Sequence, residues 1–309
     1  MLRTRAVKAL LVLATLHRDG AITFVGAVCN GGGQPEKRAR LARCLLDKLG
    51  VPDVPVAIGS HGQPYDAQPH EYALSGFDAV DASRLRPASE LVLSILQTSE
   101  PGALTVVLIS SLRDFADAIL AYPQLVRRAV GSVSVMGGLE RDERARFGWA
   151  ADSSVNNGFD MAGAQAVYDW CFAEGVPLAV VSRFAVPLLP MSLARSFAER
   201  SNSDVLRYLA EAQFLGLEGL WHKLCAGKLP ARCTKQVRAA RHRVRPITSP
   251  RPPPLGRPHA TRPTASARAP HRRARRAVRS GSARPSAAST RRSTKRRVSR
   301  RGSLSLIHI

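Results

Sequence analysis

The chain has 309 residues, enough for one large domain or two small ones with a sizeable core, and a formal net charge of +23. The charge is concentrated: 235–309 carries 22 Lys and Arg and no acid, leaving 24 basic against 23 acidic residues in 1–234. That near balance excludes polyanion binding as the general business of the body and confines it to one segment. Five scattered cysteines, Cys29, Cys44, Cys171, Cys225 and Cys233, with no C-x-x-C pair, exclude a zinc ribbon or disulfide framework and fit a reducing, cytoplasmic setting. No apolar run approaches the roughly 20 residues of a membrane helix.

In chain order, 3–18 reads as a buried helix ending at Gly20. Basic residues followed by apolar Ala9 to Leu16 also outline a short signal sequence. No small-x-small cleavage site follows, however, and polar residues resume with His17, Arg18 and Asp19, so a core helix is expected. Residues 22–28 (ITFVGAV) have strand character and are broken by Asn30-Gly31-Gly32-Gly33. Pro35 opens a helix with apolar residues at helical spacing, stopped by Gly50. A strand is expected over 54–58, a loop rich in Gly, Pro and His over 59–69, a helix over 87–98 and an apolar strand over 104–110. Two short helices, a strand over 131–136, a helix over 160–175, a strand over 177–182 and two helices within 190–226 complete the body.

Near-continuous apolar strands of five to seven residues alternating with helices predict an α/β fold. Its sheet should be mainly parallel, doubly wound and Rossmann-like, with helices on both faces. Ligands in such sheets sit beyond the carboxyl ends of the strands. The polar loops 30–34, 110–114 and 137–157 all leave such ends. Ser154-Val155-Asn156-Asn157-Gly158-Phe159-Asp160 is therefore readable in two ways. Asn and Asp are the residues of helix caps and turns, and they are equally what a polar binding loop would use.

A strand ending in Cys29-Asn30-Gly31-Gly32, Met136-Gly137-Gly138 at the end of a later strand, and an Asn-rich loop before an Asp-started helix occur in that order. This order resembles the inosine–uridine-preferring nucleoside hydrolase family over most of 4–236. The resemblance implies hydrolysis of the N-glycosidic bond of a small-molecule ribonucleoside, with one calcium ion held by an Asp-x-Asp-x-x-x-Asp-Asp cluster after the first strand. The homo-oligomeric state is left open. Neither that cluster nor that strand precedes the first helix in this sequence, and the chain is expected to be inactive and to bind no calcium. By the same resemblance Asn30 and Asn156 would contact ribose and Met136 would lie against the sugar. The backbone carbonyl of Ile109 would reach the metal, and Asp160 would start the following helix. Ser154 stands where the family has a glutamate, and Arg183 falls near a position where many members carry an aspartate close to the metal. Those two departures favour a non-catalytic, sugar- or nucleoside-binding relative as the alternative.

Weaker signals add little. Gly31 to Gly33 before Pro35 could cradle a phosphate at a helix start but lack the G-x-x-x-x-G-K-[ST] pattern. His61, His70 and His222 show no metal-ligand spacing, and Glu36 to Arg40 reads as a solvated helix face. Two segments are expected: a hydrolase-like α/β domain over 1–236 without its first strand, and an Arg/Pro/Ser-rich tail over 237–309. The tail, with no aromatic residue and no acid, has the composition of a disordered segment. It reads either as a salt-sensitive nucleic-acid-binding arm or as an out-of-frame translation ending in an adapter-like Leu304-Ser305-Leu306-Ile307-His308-Ile309.

Overall fold

Strands apolar on both faces require cover on both sides, and the order of helices supplies it. The computed structural model describes residues 2–31, 33–62, 69–185, 190–199, 202–229 and 303–308. All of them belong to the unit formed by Met1–Arg241 and Arg301–Ile309. Helix α1 (Leu2–Arg18) leads into β1 (Ile22–Cys29), α2 (Pro35–Lys48) and β2 (Val56–Ile58). Then come β3 (Leu85–Pro87), α3 (Ala88–Thr98), β4 (Leu104–Leu108), α4 (Arg113–Ala121), α5 (Pro123–Ala129) and β5 (Val130–Val135). A hairpin of β6 (Leu139–Arg141) and β7 (Trp149–Ala151) precedes α6 (Met161–Glu174), β8 (Leu178–Val180), α7 (Met191–Glu199) and α8 (Asp204–Cys225). The far end of the chain adds β9 (Ser303–His308).

The main sheet is parallel throughout, in the order β3-β2-β1-β9-β4-β5-β8, so the expected α/β architecture is the observed one. One face is covered by α1, α2 and α8, whose Val7, Leu10, Leu45, Leu46 and Leu209 join Phe24, Cys29 and Val56 of the sheet. The other is covered by α3 to α6, where Leu91, Phe115, Val126 and Tyr168 meet Val28, Val106 and Val133. Residues 2–18 thus form a core helix, and no described helix is long and apolar enough to cross a membrane.

Two differences from the sequence-based expectation have physical causes. Strand β3 carries no expected pattern, because it is three residues long and ends in Pro87, which a sheet tolerates at its edge. The second concerns the slot expected to lack a strand. Ser303–His308 occupies it, pairing Ile22 with Ser303 through Val28 with His308 on one side and Leu104 with Leu304 through Leu108 with His308 on the other. These six residues of the segment expected to be wholly disordered are a central strand; 237–302 and 309 lie outside the described residues.

Placing proline at Leu306, which pairs with both Gly26 and Val106, removes a ladder donor from a central strand. It should lower unfolding free energy by about 2–4 kcal/mol. Urea denaturation followed by far-UV circular dichroism measures this; a midpoint unchanged by Leu306→Pro and by removal of 303–309 would show that the strand does not hold the sheet together.

Candidate functional site

The carboxyl ends of β1, β2 and β4 are tied together by one carboxylate. Asp114, in the first turn of α4, accepts hydrogen bonds from the Ser60 amide (2.7 Å), the Ser60 hydroxyl (3.1 Å) and Asn30 Nδ2 (2.5 Å). Asn30 is fully buried, and its Nδ2 also donates to the Ser111 carbonyl at 2.9 Å. Two acceptors on that side fix the amide's orientation, since the reverse would set oxygen against oxygen. The Asn30 Oδ1 is left pointing away, buried and without a hydrogen-bond partner among the described residues. The next residue, Gly31, takes a left-handed φ of 79° and donates its amide to the Ser60 carbonyl at 3.0 Å. That amide is therefore engaged within the protein, against the phosphate-cradle reading; Gly32 lies outside the described residues. Arg38 of α2 donates to the Asn30 carbonyl.

A second polar cluster closes the ends of β5 and β7. Asn157 is fully buried and donates from Nδ2 to the Gly138 carbonyl (2.9 Å), the Asp152 carbonyl (3.1 Å) and Asp152 Oδ1 (3.2 Å). It accepts from the Tyr168 hydroxyl at 3.0 Å. Gly137 and Gly138 are required by close approach: an added Cβ would lie 2.5 Å from the Tyr168 hydroxyl at the first and 2.1 Å from Asp152 Oδ2 at the second. Asn156, 4% exposed, donates from Nδ2 to the Met136 carbonyl at 2.7 Å, which fixes its orientation as for Asn30. Its Oδ1 is buried and unpartnered among the described residues, as is the Ser154 hydroxyl. Asp160 caps α6 by accepting from the Gly163 amide at 3.0 Å, and Arg113 reaches it at 3.5 Å. Within this loop Asp160 caps, Asn157 braces, and Asn156 keeps a buried acceptor oxygen unpartnered among the described residues.

A cavity open to solvent is lined by α1 (Ala6, Val7, Leu10), α2 (Arg38, Leu41, Ala42, Leu45), Ile109, Ser110 and Phe159. Ile109, which the resemblance assigns to a metal through its carbonyl, lies just past β4 and lines this cavity. Met136 accepts from Asn156 through its carbonyl, donates its amide to the Leu108 carbonyl at 2.8 Å, and its sulfur lies 3.9 Å from Arg5 Nη1. Asn30, Ile109, Met136 and Asn156 therefore sit along one carboxyl edge.

Arg183, just after β8, stands 3.8 Å from Asp152 Oδ2. Sequence reasoning reached Asp114 and Asp152 only as members of the polar loops 110–114 and 137–157 and gave Ser60 and Tyr168 no role, because single polar residues carry no spacing signal. His61, His70 and His222 do not converge with other ligands: among the described residues no three His, Cys, Asp or Glu groups come together as a metal site would need.

Burial pushes the Tyr168 phenol up to about 12, against partial relief from its bond to Asn157. The fold therefore favours the protonated phenol, and this contribution is complete below the ordinary value near 10 and lost as pH rises through about 12. Replacing Tyr168 by Phe should cost about 1 kcal/mol at pH 8. It should also remove roughly 2–3 kcal/mol of the stability that wild type loses between pH 10 and 12. The buried Cys29 and Cys171 thiols, also raised to about 12, will leave a residual slope. Urea titrations across that range decide the matter, and equal alkaline slopes in both proteins would remove Tyr168 from this role.

No protein-family model matches the chain. It is 31% identical over 143 residues to an uncharacterized protein of Schizosaccharomyces pombe, a match covering 43% of this chain and 44% of that protein. The chain thus spans less than half the length of that curated relative. Among solved structures it is similar to the type III effector protein XopQ, crystallised with adenosine diphosphate ribose, with a TM-score of 0.62 and 24% identity over 76% of this chain and 68% of the other. The effector protein XOO4466 gives the same TM-score and identity, covering 77% and 69% respectively. Identity at that level establishes a shared fold.

Proposed function

We propose that the carboxyl edge of the sheet binds a ribonucleoside-type small molecule through its sugar hydroxyls, on a scaffold of nucleoside hydrolase type. The observation that carries this reading is the pair of buried, unpartnered acceptors on Asn30 and Asn156. Both amides are oriented by bonds from Nδ2, so both oxygens are left demanding donors. A buried acceptor without a donor costs about 1–3 kcal/mol, and a ligand that brings hydroxyls recovers it. Vicinal ribose hydroxyls are donors of that kind, and the neighbouring apolar cavity with Phe159 on its wall offers space for a flat base. The shared fold with a protein crystallised with adenosine diphosphate ribose agrees with a ligand of this class.

Base release is the reaction the family resemblance implies, and it needs a carboxylate to activate water. The described carboxylates of the two clusters are already engaged. Asp114 accepts three hydrogen bonds, Asp152 is held by Ser154, Asn157 and Arg183, and Asp160 caps α6. A calcium ion needs six to eight oxygen donors, with carboxylates among them. The described residues bring no such set together, and Arg183 adds a cation beside Asp152, so this donor set does not fit the ion. We read the site of this polypeptide as one that binds its ligand without hydrolysing it. The buried free thiols Cys29, Cys44 and Cys171 suit a cytoplasmic site of action.

Isothermal titration calorimetry with adenosine, 2′-deoxyadenosine and 3′-deoxyadenosine tests the reading. Adenosine should bind, and loss of either hydroxyl or substitution Asn156→Leu should weaken it roughly tenfold. Base release should be undetectable with or without calcium. Equal affinity for all three ligands would overturn the sugar contact, and calcium-dependent release would overturn the assignment as a binder.

A further inference from the structure

Cations crowd this edge in a way that a neutral nucleoside does not explain. The first turn of α1 holds no acid, and Arg5 points from it to within 3.9 Å of the Met136 sulfur. A thioether is a weak acceptor, so the guanidinium's five donors are hardly used there. No described carboxylate lies within ion-pair range of Arg5. One turn further on, Lys8 donates to Gln213 at 2.8 Å and is likewise without a carboxylate partner. Its ammonium is held below its ordinary value by burial first and by Arg5 second, as expected of a positive region without local compensation. Met136, which Arg5 touches, is the residue whose carbonyl receives Asn156 Nδ2. Arg183 joins the same loop through Asp152, which accepts from Asn157 next to Asn156; it lies at the long limit of an ion pair with Asp152 and stacks over the 85% exposed Phe184 ring at 5.2 Å.

We propose that the site takes a ribonucleoside bearing a phosphate or pyrophosphate, with Arg5, linked to Asn156 through Met136, and Arg183, linked to Asn157 through Asp152, recognising the anion. This rests on the ribose reading above and adds the charge of the ligand to it. Arginine suits the role because its planar fork matches phosphate oxygens two at a time, and both guanidiniums keep donors free of strong partners. The positive end of α1 acts in the same direction.

Calorimetry on the full chain, with adenosine, AMP, adenosine diphosphate ribose and inorganic phosphate at low and high salt, separates the cases. The basic tail also attracts phosphate, so every comparison is made within the same chain against Arg5→Met and Arg183→Met. AMP and adenosine diphosphate ribose should bind roughly tenfold or more tightly than adenosine. That ratio should shrink at high salt and collapse towards one in the double variant. Phosphorylated ligands binding no better than adenosine, or an advantage that survives both substitutions, would overturn the proposal. If the arginine-dependent advantage is present but Asn156→Leu leaves every affinity unchanged, the anion site stands and the ribose reading falls instead. Binding of neither class overturns both.

Discussion

The slot between β1 and β4 governs the rest of the molecule. The two strands stand two strand spacings apart, about 10 Å, and cannot pair with each other. Each turns an inner edge of amides and carbonyls toward the gap, within a sheet covered on both faces, where water cannot satisfy them. Only a strand lying between them can. It runs parallel to both. The half-sheets β3-β2-β1 and β4-β5-β8 are joined by Ser303–His308 alone among the described strands. The demand comes from the backbone, so a short segment that alternates small and apolar residues, as Ser-Leu-Ser-Leu-Ile-His does, meets it without a matching motif.

With the slot filled, the ends of β1, β4 and β5 lie at one level, and everything proposed about the site depends on that alignment. Asp114 can reach Ser60 and Asn30 only because three strand ends are side by side. The Met136 amide can donate to the Leu108 carbonyl only because β4 and β5 end together. The polar groups are shared unequally. Nitrogens of Asn30 and Asn156 are spent on bracing the scaffold, and their oxygens are left over. The described acids of these clusters are internally committed, whereas Arg5 and Arg183 retain unused donors. Among the described residues, such a make-up offers acceptors to hydroxyls and cations to anions.

The interplay of loop and helix at 154–160 shows why capping and binding need not compete. Around a tight 3-10 turn (Asn157–Phe159), Asp160 seals α6, Asn157 holds Gly138 and Asp152, and Asn156 braces the Met136 carbonyl while its buried Oδ1 stays unpartnered among the described residues. Gly137 and Gly138 make this packing feasible, since any side chain there would occupy the space of Tyr168 and Asp152. The Met-Gly-Gly sequence is thus explained by close approach more than by contact with a ligand.

Much of the scaffold was legible in the residues themselves. Unbroken apolar strands such as 104–108, alternating with helices of 3.6 periodicity, determine a parallel, doubly covered sheet by burial alone. The same pattern puts Asn30, Ile109 and Met136 at strand ends and Asn156 in the loop beyond one. The tertiary structure decided what periodicity cannot carry. It filled the central slot from the distant end of the chain, a pairing set by backbone edges and not by local sequence. It also brought Asp114 to Asn30 across 84 positions and Arg5 to Met136 across 131. Long-range polar contacts of that kind depend on which strand ends become neighbours, and neighbours are chosen only when the sheet is assembled.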